Sequence, residues 1–408
     1  MDVLKIAEDT YQLSVNVENI LFEGVWEMPE GVSLNTYIIK GEKTAIVDGF
    51  CGWDGVPETL FELLATMEID PKKIEYMIIN HMEPDHSGWI EAFREINQSV
   101  KILCSEKARD LLNTFYGHTE NVTCVSDGDT LDLGAGHLIQ FTSIPNVHWP
   151  DTMASFDSLT GVLFSCDAFG SFGKLSEKKY ADDLTDLEME VYQRETIRYY
   201  SNILASFTMA VKKAVAKCRE FPIKIVAPGH GLMWRDAKRI LDEYDHLADY
   251  QKGSAREEIT FIWSSMYGMT EKAVNYVKEL LEKETIKVNI HQVPNDSWGT
   301  VLTSAWTSTG IILAMPTYEY KMFPPMAATL EELGRKKVAN RKAFRFGSYG
   351  WSGGAQKELD EIMERWNMKW DFLEPVEFAG CPLEEDYQKI GEKVLELIRV
   401  VRESQIKK

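Results

Sequence analysis

The stretch Tyr76-Met77-Ile78-Ile79-Asn80-His81-Met82-Glu83-Pro84-Asp85-His86-Ser87-Gly88 decides how the first half of the chain is read. A short apolar strand runs straight into a histidine. Four candidate metal ligands, His81, Glu83, Asp85 and His86, then fall within six residues. A helical pattern at 87–96 follows. A tight turn between strand and helix can aim all four side chains into one pocket.

Other strand exits repeat the arrangement. The apolar run Ile223-Lys224-Ile225-Val226-Ala227 leads through Pro228-Gly229 to His230, and Pro145-Asn146-Val147 leads to His148. Asp167 ends the run Gly161-Val162-Leu163-Phe164-Ser165-Cys166. A carboxylate at the exit of a buried strand is costly unless it is paired or bound to metal. The set offers four histidines and three carboxylates, a mixture that suits iron better than the imidazole-rich sites of zinc. His118, His137, His246 and His291 lack such surroundings and read as ordinary residues.

Around these motifs the first 250 residues or so carry many short strand-like runs, at 10–17, 19–27, 35–48 and 122–144. Helical patterns lie at 57–68, 87–96, 105–116 and 184–219. The mixture fits a sandwich of sheets covered by helices. The polar stretch Gln251-Lys252-Gly253-Ser254-Ala255-Arg256-Glu257-Glu258 reads as a linker. Beyond it, strands near 259–265, 286–293, 310–316, 342–348 and 372–378 alternate with helices near 270–284, 298–307, 324–335, 354–366 and 384–403. Regular alternation of this kind predicts an open, doubly wound parallel sheet. The domains expected are therefore 1–250 and 255–408.

The second domain opens with Ile259-Thr260-Phe261-Ile262-Trp263, then Ser264, Ser265, Met266, Tyr267, Gly268, Met269 and Thr270 at the start of a helix. Such a hydroxyl-rich loop at a helix N-terminus cradles phosphate, because free N–H groups and the helix dipole face the anion. Two further strand exits supply aromatics and glycines: Pro316, Thr317, Tyr318, Glu319 and Tyr320; then Ser348, Tyr349, Gly350, Trp351, Ser352 and Gly353. Neither GxGxxG nor GxxxxGK[ST] occurs, which argues against dinucleotide and ATP binding. One phosphate and a flat stackable ring point to FMN.

The order HxExDH, then His, Asp and His at strand ends, resembles the metallo-β-lactamase superfamily, with Glu83 where that family usually has a second histidine. The first loop resembles the flavodoxin pattern [ST]-x-x-x-G-x-T. The combination resembles the flavodiiron proteins (A-type flavoproteins) over nearly the whole chain. The fold this implies is α/β and α+β: a metallo-β-lactamase-like αββα sandwich followed by a flavodoxin-like domain. The resemblance places one iron on His81, Glu83 and His148, the other on Asp85, His86 and His230, and Asp167 between them. It implies FMN passing electrons to a non-heme di-iron site that reduces O2 to water or NO to N2O. It also implies an external donor, rubredoxin or reduced deazaflavin, and a head-to-tail homodimer or dimer of dimers. Trp149, Tyr199 and Tyr200 are expected beside the irons, shaping a dry pocket or donating a proton.

Two other classes stay open at this point: a zinc hydrolase, disfavoured by Glu83 and the flavin domain, and a flavodoxin-type electron carrier, disfavoured by the intact ligand set. A formal charge of −20 repels phosphate backbones, so nucleic acid is not an expected partner. The six cysteines form no CxxC pair, which argues against a Cys-ligated iron–sulfur cluster or rubredoxin centre. The start of the chain lacks the features of an export signal and no stretch is apolar enough to span a membrane, so a cytoplasmic protein is expected. The chain ends just after its last predicted helix, so no fused rubredoxin is expected.

Overall fold

The computed structural model describes residues 2–51, 56, 58–253 and 255–406. Pro57, at the start of a predicted helix, and Ser254, inside the predicted linker, lie outside the described residues. The chain separates into two compact units, Met1–Tyr200 with Phe207–Asp245, and Ser201–Ser206 with His246–Lys408.

The first unit contains two sheets. One runs Asp2–Ala7, Thr10–Val17, Val32–Lys40, Thr44–Val47, Ile74–Ile79, Lys101–Cys104 and Val122–Cys124, with spatial and chain order the same. Its first four strands are antiparallel and its last three join in parallel. The other runs Thr130–Gly134, His137–Ser143, Met153–Asp157, Val162–Cys166 and Ile225–Pro228. Only its last pair is parallel. The faces meet in one core, where Tyr37, Ile39, Val47, Ile78 and Leu103 of the first sheet pack with Leu133, Phe141, Phe164 and Ala227 of the second. Met77 and Ile79 point away from that core yet are fully buried, so strand Ile74–Ile79 is covered on both faces. Its continuous apolar run is the sequence signature of that position.

The predicted helix at 184–219 is interrupted. Asp186–Tyr199 is capped by a capping box at Thr185 and Glu188. A wider turn at Tyr200–Leu204 and a tight one at Ala205–Phe207 precede a second helix, Thr208–Cys218. Helix Ala237–Asp249 escaped the sequence reading, although Ile240, Leu241, Tyr244, Leu247 and Ala248 are buried at helical spacing.

In the main sheet of the second unit all strands are parallel, ordered Lys287–Gln292, Arg256–Trp263, Ser308–Ala314, Lys342–Tyr349, with Asp371–Phe372 and Val376–Ala379 both on the far side of Lys342–Tyr349. Numbered along the chain this is 2-1-3-4-5, the flavodoxin order. Phe261, Ile312, Phe344 and Phe346 bury one face against Val274 and Val277 of helix Met269–Leu281 and Val394 and Leu397 of helix Glu384–Ile406. The fifth strand is split where Pro375, lacking an N–H, cannot donate to the ladder. The polar residues Arg256–Glu258, read as linker, already belong to the first strand; Lys287 Nζ reaches Glu258 Oε1 at 3.1 Å. Arg341 is fully buried without a carboxylate; it donates to the carbonyls of Tyr250, Ala305 and Trp306. Two of those carbonyls end helix Trp298–Thr307, whose dipole offsets the charge. Among the described residues no helix is long and apolar enough to cross a membrane.

Candidate metal centre and flavin pocket

Strand Ile74–Ile79 delivers Asn80 and His81, and neighbouring strand ends lock that exit. Asp48, just past strand Thr44–Val47, accepts from Asn80 N at 2.7 Å and from Asn80 Nδ2 at 3.1 Å. Ser155 Oγ donates to Asn80 Oδ1 at 2.7 Å. Pro84 opens a single helical turn, Pro84–Ser87, where its missing N–H costs nothing, and the turn carries Asp85 and His86 inward. Trp89 Nε1 donates back to His86 O at 2.8 Å. Gly229 precedes His230 because a Cβ there would stand 2.7 Å from His86 Cε1.

All seven residues singled out as ligands are buried and converge. The ligand atoms of His81, Glu83, His148 and Asp167 lie within 4.8 Å of one another, and so do those of Asp85, His86 and His230. Asp167 faces both groups. Its Oδ2 is 3.3 Å from His81 Nε2 and 3.2 Å from His148 Nε2; its Oδ1 is 2.9 Å from His86 Nε2 and 3.2 Å from His230 Nε2. Glu83 Oε2 approaches His148 Nε2 at 2.8 Å and His81 Nε2 at 3.3 Å. Asp85 Oδ2 approaches His230 Nε2 at 3.2 Å and His86 Nε2 at 3.5 Å.

Several of these approaches lack hydrogen-bond geometry. Both oxygens of Asp85, Oδ2 of Asp167 and Nε2 of His230 are buried without a hydrogen-bond partner. Such groups are expensive to bury unless a cation stands between them. Every histidine presents Nε2 inward. His81 Nδ1 is held by Asp151 Oδ2 at 3.2 Å and His230 Nδ1 by Ser33 O at 3.1 Å. An Nδ1–H donated outward leaves an Nε2 lone pair for metal. The donor set therefore fits two metal ions, and its carboxylate–imidazole mixture fits iron.

Without metal, protons take the cations' place. Burial pushes His148 and His230 down, but Asp167 with Glu83 or Asp85 outweighs it and lifts them to about 9 and about 10. His81 and His86 are raised by the same contest between burial and neighbouring carboxylates. Burial raises Glu83, yet His148 and His81 bring it down to about 2.

Trp149 sets its ring edge-to-face on His81, with centroids 5.1 Å apart. Tyr199 donates to Asp167 O at 3.3 Å and packs on His230. Tyr200 instead packs on Tyr244, centroids 5.5 Å apart. A cavity of about 290 Å³ lined by Phe22, Glu23, Glu83, Pro84 and Asp85 adjoins the centre. Asp151, Asp48, Phe22 and Glu23 were missed by sequence reading. Only Asp151, three residues after His148, carried a local signal.

In the second unit a cavity of about 120 Å³ is lined by Ser265, Met266, Tyr267, Met269, Thr270, Pro316, Thr317, Ser348, Tyr349, Gly350 and Gly380. Gly380, past strand Val376–Ala379, was not anticipated. Ser264 lies beneath the loop, its Oγ buried without a partner. Gly268, at φ +81°, begins helix Met269–Leu281, whose first turn has no side-chain cap and so leaves amides for an anion. Tyr318, Glu319 and Tyr320 belong to the hairpin joining Thr317–Tyr318 to Lys321–Met322. Trp351 Nε1 donates to Tyr320 OH at 3.2 Å, and Ser352 and Gly353 continue that outer loop. None of these six, nor Ser264 or Gly268, lines the cavity. Tyr267, Tyr320 and Trp351 are largely exposed, leaving flat apolar faces for a ring. A phosphate cradle with aromatics close by fits FMN.

A family model described as ODP family beta lactamase matches residues 32–231. The anaerobic nitric oxide reductase flavorubredoxin of Aliivibrio fischeri is 33% identical over 347 residues, 83% of this chain and 67% of the relative. The rubredoxin oxygen:oxidoreductase of Desulfovibrio gigas superposes with a TM-score of 0.90 at 25% identity, covering 99% of both chains. A flavo di-iron protein variant from Thermotoga maritima gives 0.87 at 28% identity over 98% of this chain and 99% of its own. With this fold, this ligand set and these relatives, the chain belongs to the flavodiiron protein family.

Proposed function

We propose that this chain reduces O2, NO or both, with FMN in the second unit and a di-iron centre in the first. Asp167 carries the reading: one carboxylate turns one oxygen to His81 and His148 and the other to His86 and His230. In this reading His81, Glu83 and His148 would hold one iron, Asp85, His86 and His230 the other, and Asp167 would serve both. When bound, the cofactors supply the electron transfer that converts O2 to water or two NO to N2O and water.

The chain's own residues prepare that chemistry. Asp151 fixes the His81 ring, and Ser33 O fixes that of His230. Trp149, Phe22 and Tyr199 press apolar ring surface against His81 and His230 and exclude bulk water. Tyr199 keeps its proton, since burial and the nearby Asp167 charge raise its pKa far above neutrality. Its hydroxyl is therefore a donor beside the centre. Glu23, at the cavity, is steadied by Trp26 Nε1 at 2.8 Å and offers a carboxylate for proton entry. Ser265, Thr270 and Ser348 would hold the FMN phosphate, and Tyr267, Tyr320 and Trp351 would offer ring faces to the flavin.

The enzyme is cytoplasmic in this reading and takes electrons from rubredoxin or reduced deazaflavin. A formal charge of −20 favours a donor with a basic contact surface. It works as a head-to-tail homodimer or dimer of dimers, in which FMN of one protomer serves the irons of its partner. Elemental analysis should find two irons per chain, and anaerobic stopped-flow of the FMN-reduced enzyme should show reoxidation by O2, NO or both. A metal-free protein with full turnover refutes the reading. For the dimer, a protomer lacking iron (Asp85→Ala with Asp167→Ala) is mixed with one whose 264–270 loop is disrupted. Activity in the mixed dimer alone is expected; a folded, correctly loaded but inactive mixed dimer refutes cross-chain transfer.

A further inference from the structure

Cys104 and Cys124 end adjacent parallel strands, Lys101–Cys104 and Val122–Cys124, and are register partners. Register partners project side chains to the same face, and neighbouring strands lie about 4.8 Å apart. That separation falls inside the Cα–Cα range of disulfides, roughly 4.4–6.8 Å. Cys104 is buried, while Cys124, on the sheet's edge strand, is exposed. Arg109, on the helix that follows Cys104, lies within electrostatic reach of both thiols. Neither sulfur has a role in the metal centre or the flavin pocket.

We propose that Cys104 and Cys124 are a peroxide-responsive thiol pair that closes reversibly to a disulfide. Cys124, the accessible sulfur, attacks the O–O bond of a hydroperoxide as its thiolate. With hydrogen peroxide this yields a Cys124 sulfenic acid and one water. The Cys104 sulfur then attacks the sulfenic sulfur, and its proton leaves with the hydroxyl as a second water. In total one peroxide accepts two electrons from two thiols and gives one S–S bond and two waters. Burial pushes the Cys104 thiol up to about 12, which suits it to the slower, resolving role and keeps the pair reduced until Cys124 is oxidised.

The pair sits at the head of a short path to the metal centre. Ser105, next to Cys104, caps helix Glu106–Tyr116 and donates to Asp151 O at 2.7 Å. Asp151 in turn holds His81 Nδ1 at 3.2 Å and Met82 N at 2.8 Å. Closing the bond re-aims the Cys104 side chain and adjusts the spacing of the strand end that leads into Ser105, and so perturbs the support of a metal ligand. This coupling rests on the di-iron reading; the thiol chemistry does not, and the two are measured separately.

The iron-loaded protein is reduced, freed of reductant and treated with one equivalent of hydrogen peroxide. Tryptic mass spectrometry should find the Cys104 and Cys124 peptides joined within one chain with loss of two hydrogens, and thiol reductant should restore both. Cys124→Ser should abolish the link, whereas Cys381→Ser, which removes the other exposed thiol, should leave it intact. A Cys124 sulfinic acid beside a free Cys104, or a Cys124–Cys124 link between chains, overturns the pair. For the coupling, chelator-driven iron release should be about tenfold faster from the disulfide form, as for outer-shell changes at metal sites. Equal release rates overturn the coupling alone.

Discussion

Asp151 offers the sharpest test of how the centre is built. Its Oδ2 accepts two hydrogen bonds, from His81 Nδ1 at 3.2 Å and Met82 N at 2.8 Å, while its Oδ1 is buried without a partner. Asp151→Asn can put its amide oxygen where Oδ2 stands and keep both bonds; the amide nitrogen replaces an oxygen that bonds nothing. Only the charge is lost. Asp151→Ala removes the acceptor itself and leaves two buried donors, each costing about 1–3 kcal/mol. Losing a hydrogen bond behind a metal-bound imidazole typically weakens metal affinity about 10–100-fold, or about 1.4–2.8 kcal/mol. We therefore expect Asp151→Ala to lose iron to a competing chelator 10–100-fold more readily and to melt lower. Asp151→Asn should lose less than about tenfold. Iron retention by Asp151→Ala equal to that of the unaltered protein would refute the assignment of Asp151 as the residue that orients His81.

Thr270 Oγ1 lies 2.8 Å from Ser348 Oγ and accepts Ser348 N–H at 3.3 Å, tying two flavin loops together. Thr270→Ala should weaken FMN binding by about 1–3 kcal/mol in a fluorescence titration, with Thr270→Ser near normal; unchanged binding by Thr270→Ala counts against the pocket. Glu195 is raised by burial, which Arg198 only partly offsets. A raised carboxyl binds its proton more tightly in the fold than in the unfolded chain, so stability falls as pH rises from the ordinary glutamate range through the raised value. Glu195→Gln should flatten that part of the pH–stability curve, and an unaltered curve would discount the carboxyl. In the metal-free protein, His148 at about 9 and His230 at about 10 stabilise fully below about 6.5, and that contribution is lost as pH rises toward 10. Melting temperature of metal-free protein should fall over that window, and the iron-loaded protein should show little of the fall.

The sequence was readable where burial leaves a continuous mark. Strands Ile74–Ile79, Val162–Cys166 and Ile225–Pro228 are apolar runs because they are covered on both faces, and each hands the chain to a polar residue that burial cannot otherwise explain. The central strands of the second unit, Arg256–Trp263, Ser308–Ala314 and Lys342–Tyr349, stand out for the same reason. What stayed hidden depends on pairing across the chain. Asp2–Ala7 is an edge strand with one buried residue, so it lacks a clear pattern. Asp151 became visible as a support only once His81, seventy residues away, was placed beside it. Gly380 faces the flavin cavity because its strand pairs with Lys342–Tyr349, a register no local pattern encodes. The turns at Tyr200–Phe207 break a helix whose sequence has no proline or glycine to announce them.

The charges of the centre explain how one fold can serve both its metal-free and its loaded state. All four inward-facing histidines are raised in the metal-free protein, and His148 at about 9 and His230 at about 10 carry positive charge near pH 7 against the carboxylates of Glu83 and Asp167. Bound metal ions would take over that role, since a metal-bound imidazole is neutral, and neither state then buries a large uncompensated charge. Adding ferrous iron at pH 7 should therefore release at least two protons per chain, measured with an indicator dye in weakly buffered anaerobic solution. Release should diminish as the starting pH rises past 9 and then 10, where His148 and His230 are already neutral. If iron binds stoichiometrically at pH 7 and releases one proton or fewer, imidazolium ions do not hold the metal-free site together, and another source of compensating charge must be found.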